Sequence, residues 1–340
     1  MLRGGIVGLG NVAVHGHLPA WARRGDVEIV AATDTRADRR AECAARLPAA
    51  RWHDSLARLL GDSTLDFVDV CTPPASHGAV VREALARGLH VLCEKPLVTS
   101  PDEAAALVRL ADKSERVLHT VHNWHYAPIV RRAAELVREG AIGQVTRVTW
   151  QTLRTRPAAI ADAAAVNWRL DPAIAGGGVL SDHCWHVFYV VSRWIGRTPT
   201  AVSTTLERRR HHQIPVEDTA TVRIQFPGAT AEIFLTWAAD ERSNQAAIAG
   251  TRGRLELRDG TLVLLADGGE RAWPCPPPLS DGSQHPDWFE GVAAEFVDEV
   301  TGRASAAGNV AEATLCVLLE SGARESHRLG GRPVPLEAGR

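Results

Sequence analysis

Asp182 and His186 stand four residues apart in the apolar stretch Leu180–Ile195, whose pattern predicts a helix. At that spacing two helical side chains share one face. A histidine beside a carboxylate can accept a proton near neutral pH. An unassisted alcohol is far too weak an acid to release one there. The pair could pass a proton, although such a pair is more commonly helix surface or a hydrogen-bonded core histidine. His183, Cys184 and His186 also raise the question of zinc. Neighbouring side chains on a helix diverge and no distant Cys/His set completes the ligands, so no metal is expected.

A second chemistry is written at the start of the chain. Gly8-Leu9-Gly10-Asn11-Val12-Ala13 follows a short apolar strand, Gly4–Gly8, and opens a helix expected to run through Trp21. Gly8 permits the tight turn and Gly10 lets a pyrophosphate approach the backbone. Ala13 lets the helix sit close to the strand, while the helix N-terminus, with Asn11 and Val12, favours phosphate charge. Asp34 ends the second apolar run, Val27–Thr33, where a carboxylate can accept from ribose hydroxyls. Such a turn alone is a weak motif; strand before, helix after and acid at the next strand end point to a dinucleotide. Asp34 argues for NAD, with NADP possible because Arg36, Arg39 and Arg40 follow and a guanidinium can hold a phosphate.

These residues need a frame. Beyond Val27–Thr33, strands are expected at Leu65–Cys71, His90–Cys93 and Val117–Val121, and helices at Arg36–Leu47, Ser76–Arg87 and Pro101–Ser114. The alternation predicts βαβ units and a mostly parallel sheet, a Rossmann domain over 1–122. Over 123–340 the rhythm changes to strands at Gln144–Leu153, Thr200–Leu206, Thr219–Phe226, Thr230–Trp237, Gln245–Ala249, Arg254–Leu257 and Thr261–Leu265. Helices are expected at Ala127–Glu139, Leu180–Ile195, Asp287–Val300 and Val310–Ser326, and a loop at Trp273–Pro278. Val222, Ile224 and Phe226 alternate with Thr221, Arg223 and Gln225, the pattern of a strand with one buried face. An α/β domain with an open, largely antiparallel sheet and helices on one face follows. Phe234 would lie on the uncovered face, which is expected to be partly apolar and to pair as a homodimer or homotetramer.

Composition narrows the function. The chain has 340 residues and a formal net charge of −2, with no reason to expect nucleic acid or a membrane as partner. No apolar run is long enough to span a bilayer, Met1–Arg3 lead straight into a strand, and six scattered cysteines form no CxxC pair. A cytoplasmic protein with free thiols is expected. The basic run Arg208-Arg209-Arg210-His211-His212 is expected as a solvated loop, and core packing is at least as good an explanation of Trp124 and Tyr126 as a carbohydrate surface.

Five stretches, taken together and in this order, resemble the glucose–fructose oxidoreductase/inositol dehydrogenase family over essentially the whole chain. They are Gly5-Ile6-Val7-Gly8-Leu9-Gly10; Cys71-Thr72-Pro73-Pro74 with Ser76-His77; His90-Val91-Leu92-Cys93-Glu94-Lys95-Pro96-Leu97; Trp168-Arg169; and Gly176-Gly177-Gly178-Val179-Leu180-Ser181-Asp182 leading to His186. The resemblance implies a Rossmann domain followed by a second α/β domain. It places Thr72, Pro73, His77, Glu94, Lys95 and Asn123 with the glycine turn, Asp34 and Arg36 at the cofactor, Glu94 near the nicotinamide ribose. It also matches His17 to a family position without a chemical step. Lys95, Asp182 and His186 become the reacting centre, with Trp168 and Arg169 beside the substrate. Departing from the family, Cys184 stands where glycine is common.

An NAD(P)-dependent transfer of hydride to or from a secondary alcohol of a sugar, aminosugar, nucleotide-sugar or cyclitol is what the resemblance implies. His186 can take the hydroxyl proton and Lys95 can stabilise charge on the same oxygen; which is the immediate base stays open. Two alternatives remain: an NAD-dependent glycoside hydrolase of the same fold, and a non-enzymatic dinucleotide-binding regulator. Retention of Lys95, Asp182 and His186 argues against the regulator.

Overall fold

The computed structural model describes residues 1–158, 167–282 and 284–336. The chain divides into two compact units, the first formed by residues 1–123 and 284–317, the second by 124–158, 167–282 and 318–336.

The first unit is built on six parallel strands: β1 Leu2–Val7, β2 Val27–Thr33, β3 Arg51–Trp52, β4 Phe67–Val70, β5 His90–Cys93 and β6 Leu118–Thr120, in the order β3-β2-β1-β4-β5-β6. Buried on both faces, such strands read as continuous apolar runs, and β4 is buried at every position. Helices Pro74–Ala86 and Pro101–Ser114 each begin with proline, whose missing N–H is no loss in a first turn. Ser100 caps the second by accepting the Glu103 N–H. Residues 284–317, expected in the second domain, pack within this unit. Phe289 stacks on His17 and Phe296 meets Phe67 edge-on at 5.3 Å. Asn309 completes the edge strand β6, accepting the Thr120 N–H at 2.7 Å and donating to its carbonyl at 2.9 Å.

The second unit carries nine strands: β7 Val145–Leu153, β8 Ala201–Glu207, β9 Thr219–Phe226, β10 Ala229–Thr236, β11 Ser243–Gly250, β12 Gly253–Arg258, β13 Thr261–Ala266, β14 Gly269–Pro274 and β15 Val334–Pro335. Their order is β14-β13-β12-β11-β7-β10-β9-β8-β15. Every pairing is antiparallel except β7 with β10, so the sheet is mixed and mostly antiparallel. Val222, Ile224, Ala231, Ile233 and Leu235 face the core, and helix Trp185–Ile195 packs against β7 and β10. The opposite face is polar over much of its area, with Thr221, Arg223, Gln225, Thr230 and Glu232 on it, and partly apolar: Phe234 is half-buried with the Arg209 guanidinium 5.5 Å from its ring, and Leu153, Val263 and Leu265 lie on the same side. Among the described residues the exposed large hydrophobic side chains are Met1 and Leu329, neither on this sheet.

Several elements differ from expectation. Trp273 and Pro274, expected in a loop, end β14, an edge strand whose exposed residues show no alternation. Both helices that carry site residues begin as π-helix, over Ala13–His17 and Leu180–Cys184, before continuing as α-helix. The six cysteines are buried, and no helix among the described residues is long and apolar enough to cross a membrane.

Candidate functional site

In the first unit the expected cofactor residues gather for a topological reason. The strands are parallel, so the segments that follow them leave from one edge of the sheet. Gly8 follows β1, Asp34 follows β2, Thr72 follows β4, Glu94 and Lys95 follow β5, and Asn123 follows β6. Gly8 has φ +93°, and a Cβ there would lie 3.0 Å from the Cys71 carbonyl carbon and oxygen, so glycine is required twice over. A Cβ on Gly10 would meet nothing within 4 Å, which leaves space open over the helical turn starting at Asn11 and Val12. Asn123 points a buried Oδ1 that no hydrogen bond satisfies among the described residues. An open glycine turn, a helix start and an orphaned acceptor fit a dinucleotide.

Asp34 does more than the sequence disclosed. Its Oδ2 accepts the Leu9 N–H at 2.7 Å and its Oδ1 the Arg36 N–H at 2.8 Å, so the carboxylate ties the glycine turn to β2. A carboxylate oxygen has lone pairs to spare, so ribose hydroxyls can still be accepted. The Arg36 guanidinium grips both oxygens of Asp38, at 3.1 and 2.6 Å. His77 is fully buried; its Nδ1 lies 2.7 Å from the Pro96 carbonyl and its Nε2 2.7 Å from that of Thr72. It therefore joins the Thr72-Pro73 loop to the cis Lys95-Pro96 turn and positions both. Ser76 donates to Thr72 Oγ1 at 2.8 Å, steadying the same loop. Glu94 Oε2 accepts the Lys95 N–H at 2.9 Å.

In the second unit the residues expected at the substrate cluster at the π-helical segment Leu180–Cys184. Asp182 Oδ1 lies 3.8 Å from Arg169 Nε and its Oδ2 3.4 Å from His183 Nε2. The Arg169 guanidinium lies 4.4 Å from the Trp168 ring centroid. His186 is buried, its ring stacked on Trp124 at 4.6 Å and 9°, and its Nδ1 is 2.9 Å from the Tyr189 hydroxyl. That hydroxyl accepts the Trp124 N–H at 3.0 Å. It can donate to a bare Nδ1 or accept from Nδ1–H, so it serves either tautomer. Trp124 is thus the platform for His186, and Tyr189 is a partner no sequence motif marked.

The three glycines before the helix have their own cause. Gly176 ends a short helix at φ +83°. A Cβ on Gly177 would run into the Arg324 guanidinium, and one on Gly178 into the Glu217 carbonyl oxygen. Glu217 Oε1 accepts the N–H groups of Gly178 at 2.9 Å and Leu180 at 3.3 Å, and Ser181 is held by Glu320 and Arg324. The turn bearing Asp182 is clamped from behind by this ionic group. Cys184 and Trp185 are fully buried, so the departure from glycine at 184 is taken up in the core. The basic run is anchored too: Asp218 accepts the N–H groups of Arg209, Arg210 and His211, each at 2.8 Å, while Arg209 pairs with Glu207 and Arg210 with Asp240. A recess of about 400 Å³ beside it, lined by Leu153, Arg209, Phe234 and Ala239 among others, contains no expected site residue.

Comparisons with known proteins agree with the two-part fold. Residues 2–122 match the family model described as an oxidoreductase family with an NAD-binding Rossmann fold, and residues 130–256 match the GFO/IDH/MocA C-terminal domain. The chain is 31% identical over 252 residues to D-xylose 1-dehydrogenase (NADP(+)) 2 of Haloferax volcanii, covering 74% of each protein. With oxidoreductase P35 of Formosa agariphila it shares 28% identity over 264 residues, 76% of this chain and 80% of the relative. Levoglucosan dehydrogenase, solved with NADH and levoglucosan, has the same fold at TM-score 0.86 and 21% identity, over 99% of both chains.

Proposed function

The chain belongs to the GFO/IDH/MocA family of oxidoreductases, and from that premise we propose that Lys95, Asp182 and His186 carry hydride transfer at a secondary alcohol of a sugar, aminosugar, nucleotide-sugar or cyclitol. It is an NAD(P)-dependent dehydrogenase acting on CH–OH groups. When bound, the nicotinamide supplies the hydride acceptor, or the donor in the reverse direction. The glycine turn, Asp34, Thr72, Pro73, Glu94 and Asn123 hold the dinucleotide.

The observation that carries the assignment is the fixed ring of His186. Stacking on Trp124 and the hydrogen bond to Tyr189 set its plane and its Nδ1 side, so Nε2 is the atom that takes the hydroxyl proton. Lys95 stabilises charge developing on the same oxygen. Asp182 orients the pair, and Trp168 with Arg169 packs on the sugar. Lys95→Ala and His186→Ala should each lower turnover by about a hundredfold or more while a direct titration shows NAD binding kept. Asp182→Asn should fall between these and the parent. Near-normal turnover in either alanine variant removes that residue from the mechanism.

A further inference from the structure

Next to Lys95 the first unit holds a buried ionic row that hydride transfer does not use. His17 and Asp69 are 1% and 0% exposed. His17 Nδ1 lies 3.0 and 2.9 Å from the two Asp69 oxygens, and its Nε2 lies 3.0 Å from Glu94 Oε1. The Trp21 indole N–H donates to Asp69 Oδ2 at 2.8 Å, and Phe289 covers one face of the His17 ring at 3.8 Å. The Cys71 sulfur lies 3.2 Å from His17 Nδ1, and its thiol donates to Asp69 Oδ1 at 3.5 Å. The row is rooted in the core at Asp69 and ends at Glu94, whose side chain is 12% exposed.

Neutral imidazole has one N–H, and an ionised carboxylate only accepts. With a carboxylate against each ring nitrogen, a neutral His17 would set lone pair against lone pair at one end. A second ring proton satisfies both ends. We propose that His17 is a charged imidazolium that holds Glu94 ionised and fixed in orientation toward the cofactor, a positioning residue of the dehydrogenase. The inference rests on the placing of Glu94 at the nicotinamide ribose. Each Glu94 oxygen then keeps one lone-pair direction for a ligand hydroxyl, since Oε1 takes the imidazolium and Oε2 the Lys95 N–H. The groups facing the ring are Asp69, Glu94 and the Cys71 thiol, with Trp21 and Phe289 uncharged around them. Burial works against a charged ring, but Asp69 and Cys71 outweigh it and hold the His17 pKa well above the ordinary value. Burial likewise works against an ionised Glu94, and His17 and Lys95 outweigh it to hold that carboxyl low. A raised histidine pKa contributes stability that is full below the unfolded value and is lost as pH rises through the folded one.

Nitrogen-15 spectra of the histidine-labelled whole protein test this, recorded well above the pH at which free histidine loses its charge. Both His17 nitrogens should show imidazolium shifts. A neutral ring overturns the proposal, as does a stoichiometric metal found by elemental analysis, because the ligand atoms of His17, Asp69 and Cys71 lie within 4.8 Å of one another. His17→Gln should weaken NAD binding by about tenfold in direct titration, with kcat changed far less. Should that variant fail to fold, Glu94→Gln takes its place: His17 should lose its second proton at a lower pH, and NAD binding should weaken to a similar extent. Unchanged His17 shifts and NAD affinity in Glu94→Gln overturn the proposal. Where both variants fold, the double variant should bind NAD no worse than the weaker single one; additive losses also overturn it. Normal turnover in Lys95→Ala with an imidazolium at His17 would remove the reacting centre and leave this inference standing.

Discussion

At the scale of single residues, cofactor choice turns on Asp34 and Arg36. Asp34 follows β2 with its carboxylate fixed by the N–H groups of Leu9 and Arg36, so a 2′-phosphate bound there would meet a stationary negative charge. Arg36, the residue that could offset it, is engaged by both oxygens of Asp38 and would have to leave that pair. NAD should be preferred over NADP by about tenfold or more in kcat/KM. Asp34→Ser should narrow or reverse the preference, and because Asp34 also ties the glycine turn, both cofactors should bind less tightly. Arg36→Ala should weaken NADP more than NAD. Steady-state efficiencies favouring NADP in the unmutated protein would make Arg36 a phosphate ligand. The glycine turn was legible because its motif is local, and the resemblance proposed Lys95, Asp182 and His186 through stretches that are each local too. His17 was matched without a role, because its partners Asp69 and Glu94 lie 52 and 77 residues along the chain and only the folded sheet brings them together. Tyr189 was invisible for another reason: an aromatic residue in an apolar helix reads as core until its hydroxyl is seen at His186.

Among the elements, strands with a strong pattern were legible to the residue: Val27–Thr33, His90–Cys93 and Thr219–Phe226 have their expected bounds, as does helix Pro101–Ser114. The two-residue β3, the five-residue helix Leu56–Leu60 and the exposed edge strand β14 were missed. Segments so short, or so exposed, bury too little for a period to show. The π-turns were missed as well, since a widened turn leaves the apolar pattern of a helix in place. The glycines ahead of the second π-turn give the sharpest test at this scale. A Cβ at 178 would strike the Glu217 carbonyl, a backbone atom that cannot swing aside, and the same glutamate holds the N–H groups of Gly178 and Leu180. Gly178→Ala should destabilise the fold by about 1–3 kcal/mol and depress turnover by displacing Asp182. An unaltered melting temperature together with unaltered turnover would show that the clamp on this turn is slack.

For the whole molecule, the second unit carries a nine-stranded sheet whose outer face mixes polar side chains with Leu153, Phe234, Val263 and Leu265. We propose that this outer face pairs copies of the chain into a homodimer or homotetramer. Light scattering at micromolar concentration should give a multiple of the monomer mass; the mass of a single chain would contradict it. Fold class was readable because βαβ rhythm and one-sided alternation are properties of long segments, whereas the return of residues 284–317 to the first unit rests on contacts such as Phe289 with His17 that no periodicity encodes. The claim on which the rest depends is oxidation of a secondary alcohol by this chain. Its most direct measurement is the initial rate of NADH formation by the purified protein with NAD and a panel of free sugars, aminosugars, nucleotide-sugars and inositols, run beside His186→Ala. Stoichiometric NADH with at least one of them, lost in the variant, is the expected result. Cleavage of an aryl glycoside without net NADH, or NAD bound with no turnover on any member of the panel, would contradict it.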